Sequence, residues 1–270
     1  MINYGIMQGR LMPCFKFQYQ AHPVGYWQEE FELAKKLNLK YIEFIVDSYL
    51  YTFNPITNEK GVQEIEKIVN STGVKVNSIC ADIFMQWPIK KMDPREANHY
   101  GAILETLIIN LAKLGGSDIV IPFVDNSSLK NNEDFNLVTS FLEDFDQLCF
   151  KSNINLSLET DLKPPVFCDF LSRIKNRKVR VNYDSGNSAS LGYKFEEEIK
   201  LYGEKISNIH IKDRRFKSGP VTLGDGDAEL KKVKNFLVSK NYDGIVIFQA
   251  FRDDNQIETF EKQYLYFLEL

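Results

Sequence analysis

The stretch Val179–Lys212, VRVNYDSGNSASLGYKFEEEIKLYGEKISNIHIK, decides how this chain is read. Two short β-branched runs, Val179–Asp184 and Ile206–Lys212, stand on either side of a longer segment of helical character. That order is the building unit of a parallel sheet, because parallel neighbours need a long crossover between them. Each run also ends on reactive groups, Asp184 in the first, His210 and then Asp213 in the second.

Outward from this unit the same alternation fills the chain. Strands are expected at Asn3–Gln8, Lys40–Val46, Val74–Ala81, Asp118–Phe123, Ile154–Thr160, Val179–Asp184, Ile206–Lys212 and Gly244–Ala250. Several are near-continuous apolar runs, as strands covered on both faces are. The segments between them carry helix punctuation. Asp93-Pro94-Arg95-Glu96 reads as a capping box with proline at the first helical position, and Ile103, Leu107, Leu111 and Leu114 form one apolar face ended by Gly115-Gly116. Val62, Ile65 and Val69 make a stripe that Gly73 closes. Leu230, Val233, Phe236 and Leu237 make another, as do Ile257, Phe260, Tyr264 and Phe267. Such stripes read as core rather than as cofactor contacts.

Eight strands alternating with helices can close into a barrel or lie open. No Gly-x-Gly-x-x-Gly follows the first strand and there is no P-loop, so the open nucleotide-binding sheet has no support. The 270 residues contain no Pro/Gly/Ser-rich linker, and their number suits one barrel. The expectation is an α/β fold, a single (β/α)8 TIM barrel spanning residues 1–270 as one domain.

Composition narrows the function. A net charge of -4 disfavours a sequence-independent grip on nucleic acid. Of the two short basic runs, Lys231–Lys234 reads as a solvated helix face, whereas Lys212–Lys217 follows a strand and stays open. Cys14, Cys80, Cys149 and Cys168 are far apart and show no Cys-x-x-Cys spacing, which speaks against a disulfide framework or structural zinc. The opening residues have no basic segment followed by a long apolar one, and no window is apolar enough to span a bilayer. A cytoplasmic protein with no membrane and no nucleic-acid partner is expected.

In a barrel of this kind function gathers where strands end. Those positions hold Gln8 and Arg10, then Glu43, Asp82, Asp125 with Asn126, Glu159 with Asp161, Asp184 with Asn187, His210 with Asp213, and Gln249 with Arg252. Any one of them is more often a helix cap or a surface group. Four consecutive strands delivering Glu159, Asp184, His210 and Gln249 say more: hard oxygen donors and one imidazole are what Mn2+, Mg2+ or Co2+ uses. The long irregular segments Leu11–Gly25, Ser48–Asn58 and Asp82–Lys91 all follow strands and belong on the same face.

Three runs carry a family resemblance: Val181-Asn182-Tyr183-Asp184-Ser185-Gly186-Asn187, Asn208-Ile209-His210-Ile211-Lys212-Asp213-Arg214, and Leu223-Gly224-Asp225-Gly226-Asp227. Together they resemble the xylose-isomerase-like TIM barrel superfamily of sugar isomerases and epimerases. Its branches include ketose 3-epimerases, hexulose-5-phosphate epimerases, inosose dehydratases and apurinic endonucleases. The opening Gly5-Ile6-Met7-Gln8-Gly9-Arg10-Leu11 is similar to one branch of sugar-phosphate isomerase/epimerase relatives.

The resemblance implies one divalent metal ion (Mn, Mg, Co or Zn) held by Glu159, Asp184, His210 and Gln249. Gln249 stands where relatives usually carry glutamate, and Asn187 where many epimerases carry histidine. With a neutral amide in the set, Gln249→Glu is expected to tighten the metal. The implied activity is an isomerase or epimerase acting on a sugar or sugar phosphate, by proton transfer next to a carbonyl through a metal-stabilised enediolate. Glu159 is the implied catalytic base, since an amide at 249 has no usable basic lone pair. One-base chemistry suits aldose–ketose isomerisation; inversion at one carbon requires Asp82, Asp125, Asp161 or Asp213 to reach the other face. Substrate contacts are expected from Gln8, Arg10, Asn187, Arg215 and Arg252, the guanidinium forks serving hydroxyls or phosphate.

Other readings stay open at this stage. A dehydratase of a sugar ring, a lyase, uses the same metal and base. A non-catalytic carbohydrate-binding barrel is motivated by Gln249 and Asn187. The trinuclear zinc site of the endonuclease branch needs many imidazoles, and this chain has only His22, His99 and His210. The expected partner is a small carbohydrate or sugar phosphate, with a homo-oligomer left open.

Overall fold

The computed structural model describes residues 2–270, the side chain of Pro94 excepted. Eight parallel strands close into a barrel: β1 Tyr4–Met7, β2 Tyr41–Ile45, β3 Lys75–Cys80, β4 Asp118–Phe123, β5 Asn155–Thr160, β6 Val179–Asp184, β7 Ile206–Ile211 and β8 Ile245–Phe248. Neighbours in sequence are neighbours in space, and β8 closes on β1. Each expected strand is found, trimmed by no more than two residues at either end.

The outer layer forms where strand and helix stripes meet. Ile42, Phe44, Val76, Ile79, Ile119 and Ile121 pack outward on Ile65, Leu104, Leu107, Ile108 and Leu111 in one continuous cluster. Fully burying side chains of this size contributes about 1.5–3 kcal/mol each. The helix Glu59–Thr72 ends at Gly73 in the left-handed conformation, as its sequence predicts. Two expectations shift. The segment Pro94–Glu96 is a 3-10 turn, with Asp93 Oδ1 accepting from Arg95 N at 2.8 Å, and the α-helix runs from Ala97 to Lys113. In the last helix, Gln256–Glu269, Ile257 is exposed and Gln263 is buried instead, because its amide donates to Phe251 O and accepts from Leu223 N.

The lumen is divided. Met7, Ile45, Cys80, Val120, Ile245 and Ile247 make a small apolar cluster inside, contributed by β1–β4 and β8. Between them Gly5 is required: a Cβ there would stand 2.7 Å from the side chains of both Ile247 and Tyr41. β5, β6 and β7 send polar groups inward instead. Near the floor, Ser157 and Ser207 both donate to Asp118. Higher up, Asn182, Asn208 and His210 bond across to Glu159 and Glu43. Among the described residues no helix is long and apolar enough to cross a membrane.

The first loop is stapled at its ends. Glu30 accepts from Gly9 N at 2.7 Å and Leu11 N at 3.0 Å, and Arg252 donates to Met12 O and Tyr19 O. Its apex is different: Lys16 and Phe17 sit exposed with φ of 47° and 61°, a conformation that costs non-glycine residues energy.

Candidate functional site

Strand register assembles the site. Asp184 on β6 is directly beside His210 on β7, so two groups distant in sequence become neighbours by pairing alone. Glu159 joins from β5, where Asn182 Nδ2 donates to its Oε2 at 2.7 Å and Asn187 Nδ2 to its Oε1 at 2.6 Å. Glu159, Asp184 and His210 are all buried, and each offers a ligand atom within 4.8 Å of the others. Asp184 caps the helix Ser185–Leu191 through Oδ1, which accepts from Asn187 N, while its buried Oδ2 has no hydrogen-bond donor.

Behind this group stands Glu43, fully buried on β2. Its Oε1 accepts from His210 Nε2 at 2.7 Å, and its Oε2 accepts from Ser78 and Asn208. Burial pushes His210 toward neutrality, but Glu43 and Glu159 more than reverse this and raise its pKa to about 10. Burial likewise pushes Glu43 up, and the imidazolium with three hydrogen bonds overrides it and holds the carboxylate below its ordinary range. Nδ1 faces Glu159 Oε2 at 3.4 Å and Asn182 Nδ2 at 3.1 Å. An imidazole fixed by a carboxylate on one nitrogen, with the other turned toward a second carboxylate, is the usual setting of a metal ligand. Asp184 Oδ2, which accepts no hydrogen bond and faces the Lys212 ammonium at 3.5 Å, and the hard donor set fit a divalent cation, which would take the place of a ring proton at Nδ1.

A cavity of about 330 Å3 opens over this floor, lined among others by Gln20, Asp82, Asp125, Glu159, Asp161 and Arg214. Lys212 crosses its edge, with Nζ 3.5 Å from Asp184 Oδ2 and donating to Gln249 Oε1 at 3.2 Å. Glycine at 186 makes room for this stem, since a Cβ there would stand 2.6 Å from Lys212 Cγ. Gln249 also lines the cavity, and its Nε2 donates to Gln20 Oε1 at 2.7 Å, so both ends of the amide are engaged outside the three-residue group.

Of the residues expected to meet substrate, the structure brings only Asn187 to the cavity. Gln8 lies behind it, its Oε1 bonded to Ile45 N and to His22 Nδ1. Arg10 is buried under the first loop and donates to Tyr19 O and Gln20 Oε1. Arg252 clamps the same loop. Arg215 points outward, exposed, with Nε on Asp225 O; its neighbour Arg214 is the one that lines the cavity, donating to Asn187 Oδ1 at 3.0 Å. His22 does not face the site: it packs beside Trp27 and Phe44, and burial lowers its pKa to about 3. Asp213 is turned away too, accepting from the amides of Gly224, Gly226 and Ala228. Glu43, Gln20, Lys212 and Arg214 received no role from sequence. For Glu43 a signal existed, a charge inside the apolar strand Tyr41–Ile45.

Residues 31–269 match the model of one protein family, described as the xylose isomerase-like TIM barrel. The chain belongs to that family. A Haemophilus influenzae protein provisionally named L-ribulose-5-phosphate 3-epimerase SgbU is 23% identical to this member of the family over 249 residues, covering 85% of each chain. Among solved structures, the IOLI protein with a bound zinc atom superposes with a TM-score of 0.77 at 14% identity, over 99% of this chain and 98% of that one. A D-psicose 3-epimerase crystallised in the presence of D-fructose gives a TM-score of 0.75 at 15% identity, over 98% of both chains. At these identities the structural likeness is one of fold.

Proposed function

We propose that this chain is a divalent-metal-dependent epimerase or isomerase of a small sugar or sugar phosphate. The observation that carries it is the convergence of Glu159, Asp184 and His210, of which Glu159 lines the cavity and the other two lie buried behind it, with Glu43 fixing the imidazole from the far side. A bound divalent ion supplies a Lewis acid that polarises a carbonyl and steadies the negative charge beside it. The chain's residues do the rest. Glu159 takes the proton from the carbon next to the carbonyl, and the amides of Asn182 and Asn187 hold its two oxygens in place for that. Arg214 and Asn187 line the wall where hydroxyls or a phosphate would lie. The epimerase names of the Haemophilus relative and of the D-psicose enzyme support the same chemistry.

The test is incubation of the metal-loaded protein with D-psicose, D-fructose and L-ribulose 5-phosphate in deuterated water, followed by proton NMR. Loss of one carbon-bound proton signal on at least one substrate, abolished by Glu159→Gln, is the expected result. A protein that retains stoichiometric metal yet exchanges no proton on any of them would overturn catalysis in favour of a binding barrel.

A further inference from the structure

We infer that Asp82 is the second proton-transfer group of this site, and that Gln20 and Gln249 are the residues that position it. The inference rests on the epimerase reading above and deepens it. Its basis is an unbroken run of polar contacts along the cavity wall. Lys212 Nζ donates to Gln249 Oε1 at 3.2 Å, Gln249 Nε2 to Gln20 Oε1 at 2.7 Å, and Gln20 Nε2 to Asp82 Oδ2 at 2.7 Å. Cys80 Sγ donates to the other oxygen, Oδ1, at 3.2 Å.

The run has a direction. An ammonium can only donate and a carboxylate can only accept, so the two amides between them have one orientation each. Arg10 Nη2 donates to the same Gln20 oxygen at 3.0 Å and fixes that orientation a second time. A carboxylate at position 249 could not donate to Gln20, and the run would break there. This gives the amide at 249 a physical reason: it serves Asp82 rather than the cation.

Position suits the role. Asp82 and Glu159 line one cavity, Asp82 from the end of β3 and Glu159 from β5. Two strands apart in an eight-stranded barrel is about a quarter turn, so they meet a bound sugar from different walls, and inversion requires the enediolate to lie between them with one face toward each. Charged and polar groups face Asp82 from every side. Burial raises its pKa to about 6, Glu159 and Asp47 add to the rise, and Gln20 and Cys80 oppose it; Arg10 also acts to favour the ionised form. Near neutral pH both forms are therefore within reach, which general acid–base work requires.

The step balances. The Glu159 carboxylate removes the proton, the C–H bond breaks, and its electron pair enters the enediolate. The protonated Asp82 then gives its proton to the same carbon from the other side; its O–H bond breaks, the new C–H forms and the carbonyl returns. Glu159 ends protonated and Asp82 ionised, and exchange with water resets both.

Two experiments decide it. On a substrate that the wild type epimerises, Asp82→Asn should keep exchange of the activated hydrogen with deuterated water while inversion falls by about 10²-fold or more; Glu159→Gln should lose both. Inversion by Asp82→Asn at the wild-type rate would overturn the acid–base role. The positioning role is read without any substrate, from the carboxyl 13C titration of Asp82 in the wild type, Gln20→Met and Gln249→Glu. Both variants should raise the Asp82 midpoint, and in turnover the matching limb of the pH profile should move with it. An unmoved midpoint in both would overturn the relay. Absence of turnover in the wild type would instead count against the epimerase reading and the acid–base role that rests on it, leaving the titration to judge the relay by itself.

Discussion

The two arcs of the barrel lining are built by opposite rules. From β5 to β7 the inward residues are polar, and they find their partners on other strands across the lumen. From β8 round to β4 the lining is mostly apolar, Ile245, Ile247, Met7, Ile45, Cys80 and Val120, and its reactive carboxylate Asp82 is held by Gln20 from a loop. The polar arc is rigid because the ladder that forms the barrel also sets its geometry, as with Asp184 beside His210. The apolar arc gives Asp82 a dry setting, which shifts its protonation instead of its position. Fixed polar side chains on one side and a carboxyl of shifted protonation on the other follow from how each arc is filled.

The polar arc is most sensitive at Glu159. Glu159→Gln should lower turnover by about 10²–10⁴-fold; the amide keeps the volume of the carboxylate but turns one acceptor of the Asn182 and Asn187 amides into a donor, so a modest fall in melting temperature accompanies it. Calorimetry beside the rate measurement separates the two effects. A loss below tenfold would remove Glu159 from the proton transfer.

Next comes the support of the polar arc. Glu43→Ala leaves His210 Nε2, Ser78 and Asn208 without their shared acceptor in a fully buried place. Removing one partner of such a pair costs about 3–5 kcal/mol, which urea unfolding would register. A cost under about 1 kcal/mol would mean that water or rearrangement replaces Glu43.

The apolar arc is sharpened by pH. Folding raises Asp82 from its ordinary 3.8 to about 6 through burial, so the folded state binds this proton more tightly than the unfolded chain. Its contribution to stability is then fully present below about pH 4 and is lost as pH rises through about 6. Asp82→Asn should accordingly be more stable than the wild type at about pH 7–8, by up to about 3 kcal/mol, and the difference should vanish near pH 4. A stability difference of constant size across that range would show that packing, and not ionisation, sets it.

The smallest effects lie at the rim. Arg214→Ala should raise KM severalfold on a substrate that turns over, whereas Arg215→Ala should leave both constants within about twofold. The reverse order would place the wrong arginine at the wall.

How far the sequence speaks depends on the range of the interaction. The strands are legible because a β-branched run bounded by turn residues is a local signal, and Glu159, Asp184 and His210 are legible because strand ends share one mouth. The pairing of Glu43 with His210 spans 167 residues, and only barrel closure reveals it. Gln20 sits on a loop whose path depends on Glu30, Arg10 and Arg252, none of which marks the loop locally. The choice between Arg214 and Arg215 turns on a short ribbon in which Asp213–Arg214 pairs with Pro220–Val221, and there a shift of one residue reverses every side chain.

The stapled first loop also bears on how the chain meets proteases. Its exposed apex at Lys16 and Phe17 is the kind of site where trypsin nicks a folded protein first. Cleavage after Lys16 would cut one peptide bond and leave the anchors on either side in place, Met12 and Tyr19 still on Arg252 and Leu11 still on Glu30. The short amino-terminal fragment would remain seated as a non-covalent strand of the barrel, visible as two bands on a denaturing gel and as one species on a sizing column.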